Sequence, residues 1–196
     1  LIGTFNAYNA ASAFAAAQSL GIDTNKIIEG IKLAPQVPGR FEVIGTGKKK
    51  VIVDYSHTAD SLEKALMAVR EIVKNKKQVV TVFGCGGDRD KTKRPIMGKI
   101  ASELSDKVFV TSDNPRTENP FEIINDINFG IEKNNYEVEA NREEAIAKAI
   151  KTSNDDAVIL IAGKGHEDYQ EINGVRNHFS DKEIAIKYLA EWKKYI

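Results

Sequence analysis

The sequence predicts an α/β domain with a doubly wound, mostly parallel sheet and helices on both faces. Apolar runs without alternation, at residues 79–83 and 158–161, are typical of parallel strands that are covered on both faces. Helical patterns separate such runs, and polar loops follow three of them, at residues 84–90, 113–116 and 163–168. Because ligands bind at the carboxyl ends of the strands in open parallel sheets, these loops predict a shared binding site.

The N-terminal part of the chain predicts two helices. Residues 6–20 are almost continuously small and apolar, which indicates a helix buried on most sides, and Gly21 suits its C-terminal cap. Asp23 or Thr24 can cap a second, shorter helix that runs through Ile31. Because apolar side chains on every side need covering, we expect the first helix to have close neighbours.

A boundary linker follows these helices. Residues 34–39 contain two prolines and a glycine, which is a composition typical of linkers. We therefore assign residues 1–36 to one segment and residues 37–196 to the main domain. The first segment cannot enclose a core of its own, and the chain starts without an initiator Met or a charged leader. We expect that segment to be the tail of a preceding domain in a longer polypeptide.

The main domain predicts a hairpin followed by alternating helices and strands. The hairpin joins residues 41–44 to residues 51–53. Predicted helices then span residues 61–75, 94–104, 120–129, 142–152 and 181–192, and predicted strands span residues 79–83, 107–111, 136–139 and 157–162. A late hairpin, from residues 169–172 to residues 176–179, turns on Asn173-Gly174.

The amino-acid composition limits which binding partners and which cellular compartment we expect. The 28 basic and 28 acidic residues cancel, so no global field favours nucleic acid or an anionic membrane. The cluster Lys48-Lys49-Lys50 is too short to change this, and we expect it to be an exposed hairpin tip. The single cysteine, Cys85, fits a reducing compartment, and no apolar stretch approaches the roughly 18 residues of a spanning helix. We expect a cytoplasmic monomer that neither binds nucleic acid nor inserts into a membrane.

Three side chains in the polar loops carry the charges that recognise an amino acid. Arg89 and Arg116 each offer a bidentate clamp for a carboxylate, and Glu167 offers a carboxylate for an ammonium group. Opposed charges of this kind recognise the zwitterionic end of an amino acid. We expect the three side chains to face a common cavity.

Two familiar nucleotide-binding motifs are incomplete in this sequence. Arg89 stands where the third glycine of a dinucleotide fingerprint belongs, which disfavours a site for NAD. Gly163-Lys164-Gly165 lacks the spacing of a P-loop and the Ser or Thr that follows its lysine. A glycine-rich turn with ordinary surface charges remains an alternative for residues 84–90.

Other polar residues have both structural and functional interpretations. His166 is a candidate catalytic base, although a structural role is favoured because no nucleophile or metal partner is visible. Cys85 is disfavoured as a nucleophile. Asp54, at a strand end, can bind ribose hydroxyls and His57 a phosphate, whereas Thr58 or Asp60 caps the following helix.

Six ordered motifs run through the chain, and they are Phe5-Asn6-x-x-Asn9, Pro38-Gly39-Arg40-Phe41-Glu42, Val53-Asp54-Tyr55-Ser56-His57-Thr58, Phe83-Gly84-Cys85-Gly86-Gly87-Asp88-Arg89-Asp90-Lys91, Asp113-Asn114-Pro115-Arg116 and Ala162-Gly163-Lys164-Gly165-His166-Glu167-Asp168-Tyr169. Together they resemble the bacterial Mur ligases, and within them those that add meso-diaminopimelate to UDP-N-acetylmuramoyl-L-alanyl-D-glutamate in peptidoglycan synthesis. The resemblance covers essentially the whole chain. Small departures are Ala59, where the family usually has proline, and Ser56, which replaces its alanine.

The resemblance implies a fragment of an ATP-dependent ligase. Residues 37–196 would be the C-terminal domain that brings the incoming amino acid, and residues 1–36 the last helices of the central ATPase domain. ATP phosphorylates the D-glutamate side-chain carboxyl, the diaminopimelate amine attacks the acyl phosphate, and phosphate leaves. The phosphate loop, carbamylated lysine and Mg²⁺ ligands of the family lie in sequence absent here. No catalytic or metal-binding residue is therefore assigned, and we expect the isolated chain to be inactive.

The family pattern also implies residue roles. Diaminopimelate would be bound by Arg89, Asn114, Arg116, Gly163 and Glu167, with Asp113 supporting the turn, and the nucleotide by Asn6, Asn9, Arg40, Asp54 and His57. Relatives that use lysine lack arginine in the Asp-Asn-Pro motif, so Arg116 favours diaminopimelate. The alternatives are a noncatalytic amino-acid-binding module and another ligase of the superfamily, such as a folylpolyglutamate synthase.

Overall fold

The structure is a computed structural model that describes residues 3–74 and 76–192. These residues fall into two compact units, Leu1–Val37 and Pro38–Ile196. Each unit is described by itself. In both units, none of the helices in the described residues has the length and apolar character needed to cross a bilayer.

The first unit contains helices α1 (Thr4–Ser19) and α2 (Thr24–Leu33). Gly21 ends α1 with a φ of 76°, and the Ile22 N–H donates back to Ala17 O over 3.2 Å. Asp23 caps α2 by accepting hydrogen bonds from the first free N–H groups of that helix. No residue of α1 is buried in the described chain, so the expectation of a helix covered on most sides is wrong here. Within this unit, α2 is the helix that packs against it.

The second unit alternates strands and helices along the chain. Its elements are β1 (Glu42–Ile44), β2 (Lys50–Asp54), α3 (Ala59–Val73), β3 (Val79–Phe83), α4 (Lys93–Leu104), β4 (Lys107–Val110), α5 (Pro120–Asn128), β5 (Tyr136–Val138), α6 (Arg142–Thr152), β6 (Val158–Ala162), β7 (Tyr169–Ile172), β8 (Val175–His178) and α7 (Asp181–Trp192).

The fold class is confirmed by the sheet. In the described residues, six strands form one sheet in the order β1-β2-β6-β3-β4-β5, and β7 and β8 form a separate hairpin. Every neighbouring pair in the large sheet is parallel except β1 and β2. All residues of β3 and β6 are buried, because α3, α4 and α5 cover one face while α6 and α7 cover the other. This two-sided burial explains why their sequences are apolar without alternation.

In the second unit the element boundaries either coincide with the predicted ones or differ from them by one or two residues. Helix α3 starts at Ala59 because Thr58 and Ser61 form a capping box, which selects Thr58 over Asp60 as the cap. Its predicted end, Asn75, lies outside the described residues. Strand β8 starts at Val175, one residue earlier than predicted, because the tight turn at Asn173-Gly174 pairs Ile172 directly with Val175.

Lys49 corrects the expectation of an exposed lysine tip. Only 1% of this residue is exposed, and its ammonium group donates to Ser153 O at 3.0 Å and Ile150 O at 2.5 Å. The last carbonyls of a helix lack intrahelical partners, so Lys49 satisfies the end of α6. The ammonium also lies 4.1 Å from the Trp192 ring centroid, and burial lowers the pKa of Lys49. Lys48 is exposed as predicted, but the prediction is wrong for Lys49 because its side chain packs against the end of α6.

Candidate functional site

A cavity of about 510 Å³ lies at the carboxyl ends of β2, β3, β4 and β6. It brings together the predicted residues Arg89, Asp113, Asn114, Arg116, Gly163, Glu167 and His57. A larger depression of about 850 Å³ lies on the other side of the loop that follows β4, but it is more open to solvent. The smaller cavity is therefore the candidate site, because all three polar loops contribute to it.

Glycines allow the loops to approach each other closely. A Cβ on Gly84 would lie 2.2 Å from Thr111 O, so the loop after β3 rests directly on the chain that follows β4. Gly163 has a φ of 118°, and a Cβ there would lie 2.7 Å from Asp113 Oδ2. A side chain at either position would push the loops apart.

The loops after β3 and β4 are joined by backbone and carboxylate contacts. Gly87 N donates to Asn114 O at 2.9 Å, and Arg116 Nη1 donates to Gly87 O at 2.8 Å. The Asp88 carboxylate accepts from the Thr117 hydroxyl at 2.8 Å. Both Asp88 and Arg116 have left-handed φ values, 54° and 51°, which these contacts hold in place. The two loops thus form one continuous wall of the cavity.

The two predicted arginines flank the same gap. A Cβ on Gly86 would lie 2.9 Å from Arg116 Nη1 and 3.8 Å from Arg89 Cγ. Arg89 is exposed and donates to Asp88 O, whereas the Arg116 side chain is 19% exposed and its Nε lies 3.9 Å from Glu171 Oε2. Both arginines line the cavity, where guanidinium groups can offer an anionic group charge-assisted hydrogen bonds.

Sequence reasoning missed Arg94, which supports the wall formed by the loops after β3 and β4. Its guanidinium is fully buried and pairs with both oxygens of Glu118, at 2.9 and 3.0 Å, and with Asp126 at 2.9 Å. Its hydrogen bonds lower the pKa of Glu118 to about 2. Glu118 Oε1 also accepts from Asp88 N, which ties the ion pair to the loop. No local signal identifies Arg94, since its partners are distant in sequence.

Lys164 was also missed, and it joins the loop after β4 to the loop after β6. The residue is fully buried, and its Nζ lies 3.0 Å from Asn114 Oδ1 and 3.2 Å from Glu167 Oε2. Asn114 Nδ2 donates to the same Glu167 oxygen at 2.9 Å. The predicted Glu167 carboxylate therefore has one oxygen held by two donors, which orients it in the cavity wall.

A second missed arginine, Arg142, fixes the sheet side of the site. It is buried and forms two 2.8 Å hydrogen bonds with Asp181. Burial lowers the pKa of Arg142, but the Asp181 carboxylate outweighs that effect and raises it above its ordinary value. Its Nη2 also donates to Ala162 O, and its Nη1 lies 3.9 Å from Asp113 Oδ2. The end of β6 and the loop after β4 are thereby held together.

Of the nucleotide residues predicted in the second unit, His57 lines the cavity, whereas Arg40 and Asp54 do not. The rings of Tyr55 and His57 lie 4.7 Å apart, with Arg40 Cζ 4.6 Å from the Tyr55 centroid. The Asp54 carboxylate accepts from Phe41 N at 2.7 Å and from the Ser56 hydroxyl. Sequence reasoning missed Tyr55 as the centre of this cluster.

Asn6 and Asn9 belong to the first unit. They lie one turn apart on α1, with Asn9 Nδ2 donating to Asn6 Oδ1 over 3.4 Å. This spacing puts both amides on one face of the helix.

The remaining candidates do not show the chemistry of a catalytic group. Burial raises the pKa of the Cys85 thiol to about 12, and its Sγ contacts Met97 Sδ at 3.8 Å. His166 is exposed and its ring lies 5.4 Å from the Tyr55 ring. Among residues 3–74 and 76–192, no group of three or more His, Cys, Asp or Glu side chains is placed to hold a metal ion.

The family profile of the Mur ligase glutamate ligase domain matches residues 39–165. A UDP-N-acetylmuramoyl-L-alanyl-D-glutamate–2,6-diaminopimelate ligase 1 from Clostridium acetobutylicum is 49% identical over 192 residues, which are 96% of this chain and 39% of the relative. The corresponding ligase from Lactiplantibacillus plantarum is 50% identical over 192 residues, covering 97% of this chain and 38% of the relative.

A solved structure shows the same similarity to diaminopimelate-adding ligases. The structure of a UDP-N-acetylmuramoyl-L-alanyl-D-glutamate–2,6-diaminopimelate ligase superimposes with a TM-score of 0.77 at 38% identity, covering 98% of this chain and 40% of that protein. The chain thus spans about two fifths of the length of the relatives that it matches.

Proposed function

The chain belongs to the Mur ligase family, and from that membership we propose that it is the C-terminal portion of a diaminopimelate-adding ligase. The parent enzyme would join meso-diaminopimelate to the D-glutamate of UDP-N-acetylmuramoyl-L-alanyl-D-glutamate, which is a step of cytoplasmic peptidoglycan synthesis. Relatives with this name match nearly the whole chain at close to half identity. In this proposal residues 1–36 come from the central ATPase domain and residues 37–196 form the domain that brings the amino acid.

One observation carries the proposal: Arg89, Arg116 and Glu167 line one cavity. A cavity with two guanidinium groups and a carboxylate suits a ligand that ends in both a carboxylate and an ammonium group. The end of meso-diaminopimelate that does not react has this composition. A simple anion site would not need Glu167.

We assign roles to the individual residues on this basis. The distal carboxylate is assigned to Arg89 and Arg116, whose side chains both lie beside Gly86. The distal ammonium group pairs with Glu167 and is flanked by Asn114. Gly163 keeps the rim open, and Asp113 supports the turn by accepting from Asn114 N at 2.6 Å. These contacts hold the substrate by its far end, so that its other amine extends out of the cavity.

The part of this chain in the reaction is to position that amine. ATP would transfer its terminal phosphoryl group to the D-glutamate side-chain carboxylate and leave as ADP. The free amine then attacks the acyl carbon, loses a proton, and the tetrahedral intermediate expels phosphate to leave the amide. Holding the nucleophile in a fixed direction makes the attack effectively unimolecular, which is a large contribution to the rate.

Nucleotide contacts are assigned to a second group of residues. Arg40 and His57, arranged around the Tyr55 ring, offer a cation and an imidazole to phosphates or ribose. Asn6 and Asn9 are assigned to the adenine, and Asp54 to the ribose, although its carboxylate also anchors Phe41. ATP is the co-substrate, Mg²⁺ belongs to missing parts of the parent enzyme, and the isolated chain is inactive and monomeric.

The site also accounts for a preference for diaminopimelate over lysine. Lysine lacks the distal carboxylate, so its binding would leave the Arg89 and Arg116 guanidinium groups without a ligand partner. Losing charge-assisted hydrogen bonds between a ligand carboxylate and these guanidinium groups costs about 2 kcal/mol or more. A folylpolyglutamate-type ligase, the alternative within the superfamily, is disfavoured by Arg116 in its Asp-Asn-Pro context.

Phosphate release by the full-length enzyme tests the proposal. With ATP and UDP-N-acetylmuramoyl-L-alanyl-D-glutamate present, kcat/KM with meso-diaminopimelate should exceed that with lysine by about 30-fold or more. Equal values would remove the assigned specificity. Binding of diaminopimelate without any phosphate release would favour the alternative of a noncatalytic amino-acid-binding module.

A further inference from the structure

We propose that Lys164 is a positioning residue that presents one oxygen of Glu167 to the ammonium group of the amino-acid substrate. This inference rests on the proposed function, because it deepens the role assigned to Glu167. Lys164 is fully buried, and its ammonium lies between Asn114 Oδ1 and Glu167 Oε2. A buried ammonium group requires such partners, so these contacts define its position.

Lys164 first fixes the orientation of the Asn114 amide. Asn114 Oδ1 accepts from Lys164 Nζ at 3.0 Å and from Glu171 N at 3.0 Å. Rotating the amide by 180° would place its NH₂ group against both of these donors. Nδ2 must therefore point to Glu167, where it lies 2.9 Å from Oε2.

Hydrogen bonds hold the Glu167 carboxylate by one of its two oxygens. Its Oε2 accepts from both Lys164 and Asn114. Among the hydrogen bonds of the described residues, none uses Oε1. Since Glu167 lines the cavity, Oε1 is the oxygen left for the substrate. A carboxylate that is already oriented binds an ammonium group without losing further side-chain freedom.

The surroundings of Lys164 support a role in the site rather than in the general core. Its Nζ lies 5.3 Å from the Tyr169 ring centroid, and Tyr169 lines the same cavity as Asn114 and Glu167. The contacts described for this ammonium thus all involve residues at the cavity. A lysine that only filled core volume would have no reason to meet this set of groups.

A substrate that lacks the second amino group separates positioning from simple support. 2-Aminopimelate keeps the distal carboxylate of diaminopimelate but has no distal ammonium group. In the full-length wild-type enzyme, its KM should exceed that of meso-diaminopimelate by about tenfold or more, which reports the ammonium contact. In Lys164→Met, the KM for diaminopimelate should rise by about tenfold, while the KM for 2-aminopimelate should change by less than about twofold. The ratio of the KM for 2-aminopimelate to the KM for diaminopimelate should therefore fall towards one.

Glu167→Gln is the matched reference for this test. It removes the same contact directly and should collapse the same ratio. Adding Lys164→Met to Glu167→Gln should then raise the KM for diaminopimelate no further, because the two residues act as a unit. If Lys164→Met does not fold, Lys164→Gln keeps a donor in the buried space and must still lower the ratio.

The outcomes distinguish the inference from the function on which it rests. A wild-type enzyme with no diaminopimelate-dependent phosphate release would contradict the proposed function itself. An active wild-type enzyme, whose Lys164 variants raise the KM for both substrates equally and keep the ratio, would show that Lys164 only supports the loops. That result would overturn its positioning role.

Discussion

Asn114 Nδ2 donates a 2.9 Å hydrogen bond to Glu167 Oε2, which joins two loops whose residues are 53 positions apart in sequence. The same loops approach at Gly163, next to Asp113 Oδ2. The site therefore depends on β4 and β6 ending at the same edge of the sheet. The sequence motifs supply the side chains of the site, and the parallel arrangement of the strands places their loops at one edge of the sheet.

Replacing Arg116 should weaken the use of diaminopimelate. Arg116→Ala in the full-length enzyme removes a guanidinium from the cavity, so the KM for diaminopimelate should rise by about 30-fold or more. The KM for ATP should stay within about twofold. Steady-state phosphate release at varied diaminopimelate measures both. Arg70→Ala is the matched control, since Arg70 pairs with Asp106 in a depression away from the candidate cavity. A KM unaltered in Arg116→Ala would contradict the assigned role.

Gly163 should tolerate a side chain less well than Gly174 does. Both have positive φ, 118° and 77°, so alanine strains the backbone at each. At Gly163 the new Cβ also meets Asp113 Oδ2 at 2.7 Å, whereas nothing lies within 4 Å at Gly174. Urea denaturation should show a loss of about 1 kcal/mol for Gly174→Ala and about 2 kcal/mol or more for Gly163→Ala. Equal losses would mean that the loops move apart freely.

Glu118 should make stability depend on pH in the acid range. Its pKa in the folded protein is about 2, below its ordinary value of 4.5. The stability from its pairing with Arg94 is therefore present above pH 4.5 and is lost as the pH falls towards 2. Glu118→Gln should lower the free energy of unfolding by about 3 kcal/mol at neutral pH, because Arg94 is buried.

Urea denaturation at a series of pH values measures this effect. The gap between wild type and Glu118→Gln should narrow below pH 4.5. Glu132→Gln, on an exposed segment, should change the unfolding free energy by less than about 0.5 kcal/mol. A gap that stays constant down to pH 2 would show that the carboxylate charge is not responsible.

The Arg142–Asp181 pair should be among the most costly contacts to break. Asp181→Ala leaves the buried Arg142 guanidinium without its carboxylate, with an expected loss of about 3 to 5 kcal/mol. Lys64→Ala, which breaks an exposed helical pair with Asp60, should cost about 0.5 kcal/mol or less. Chemical denaturation of the 196-residue chain compares them. Similar losses would mean that Arg142 finds water or another partner.

The sequence predicted the fold well because its signals are local. Two-sided apolar strands, capped helices and the Asn173-Gly174 turn each act within a few residues, and the structure has them near their predicted places. The convergence of Arg89, Arg116 and Glu167 on one cavity was also predicted, because parallel strands present their loops at one edge.

Buried charges were the part that sequence reasoning could not predict. Lys49, Arg94, Arg142 and Lys164 are all buried, although charged residues are usually exposed. Each is stabilised by at least one partner that is distant in sequence or is a backbone carbonyl of another element. Such partners follow from tertiary packing, which local patterns do not encode. The predicted burial of α1 was wrong for a related reason. An apolar composition indicates that a helix needs packing partners, but it does not identify those partners.

A crystal structure of the full-length enzyme with meso-diaminopimelate tests the central claim most directly. We expect the ligand in the cavity between the three loops, with its distal carboxylate on Arg89 and Arg116 and its distal ammonium on Glu167. Diaminopimelate bound elsewhere, or bound there with its charged groups away from these three side chains, would contradict the account.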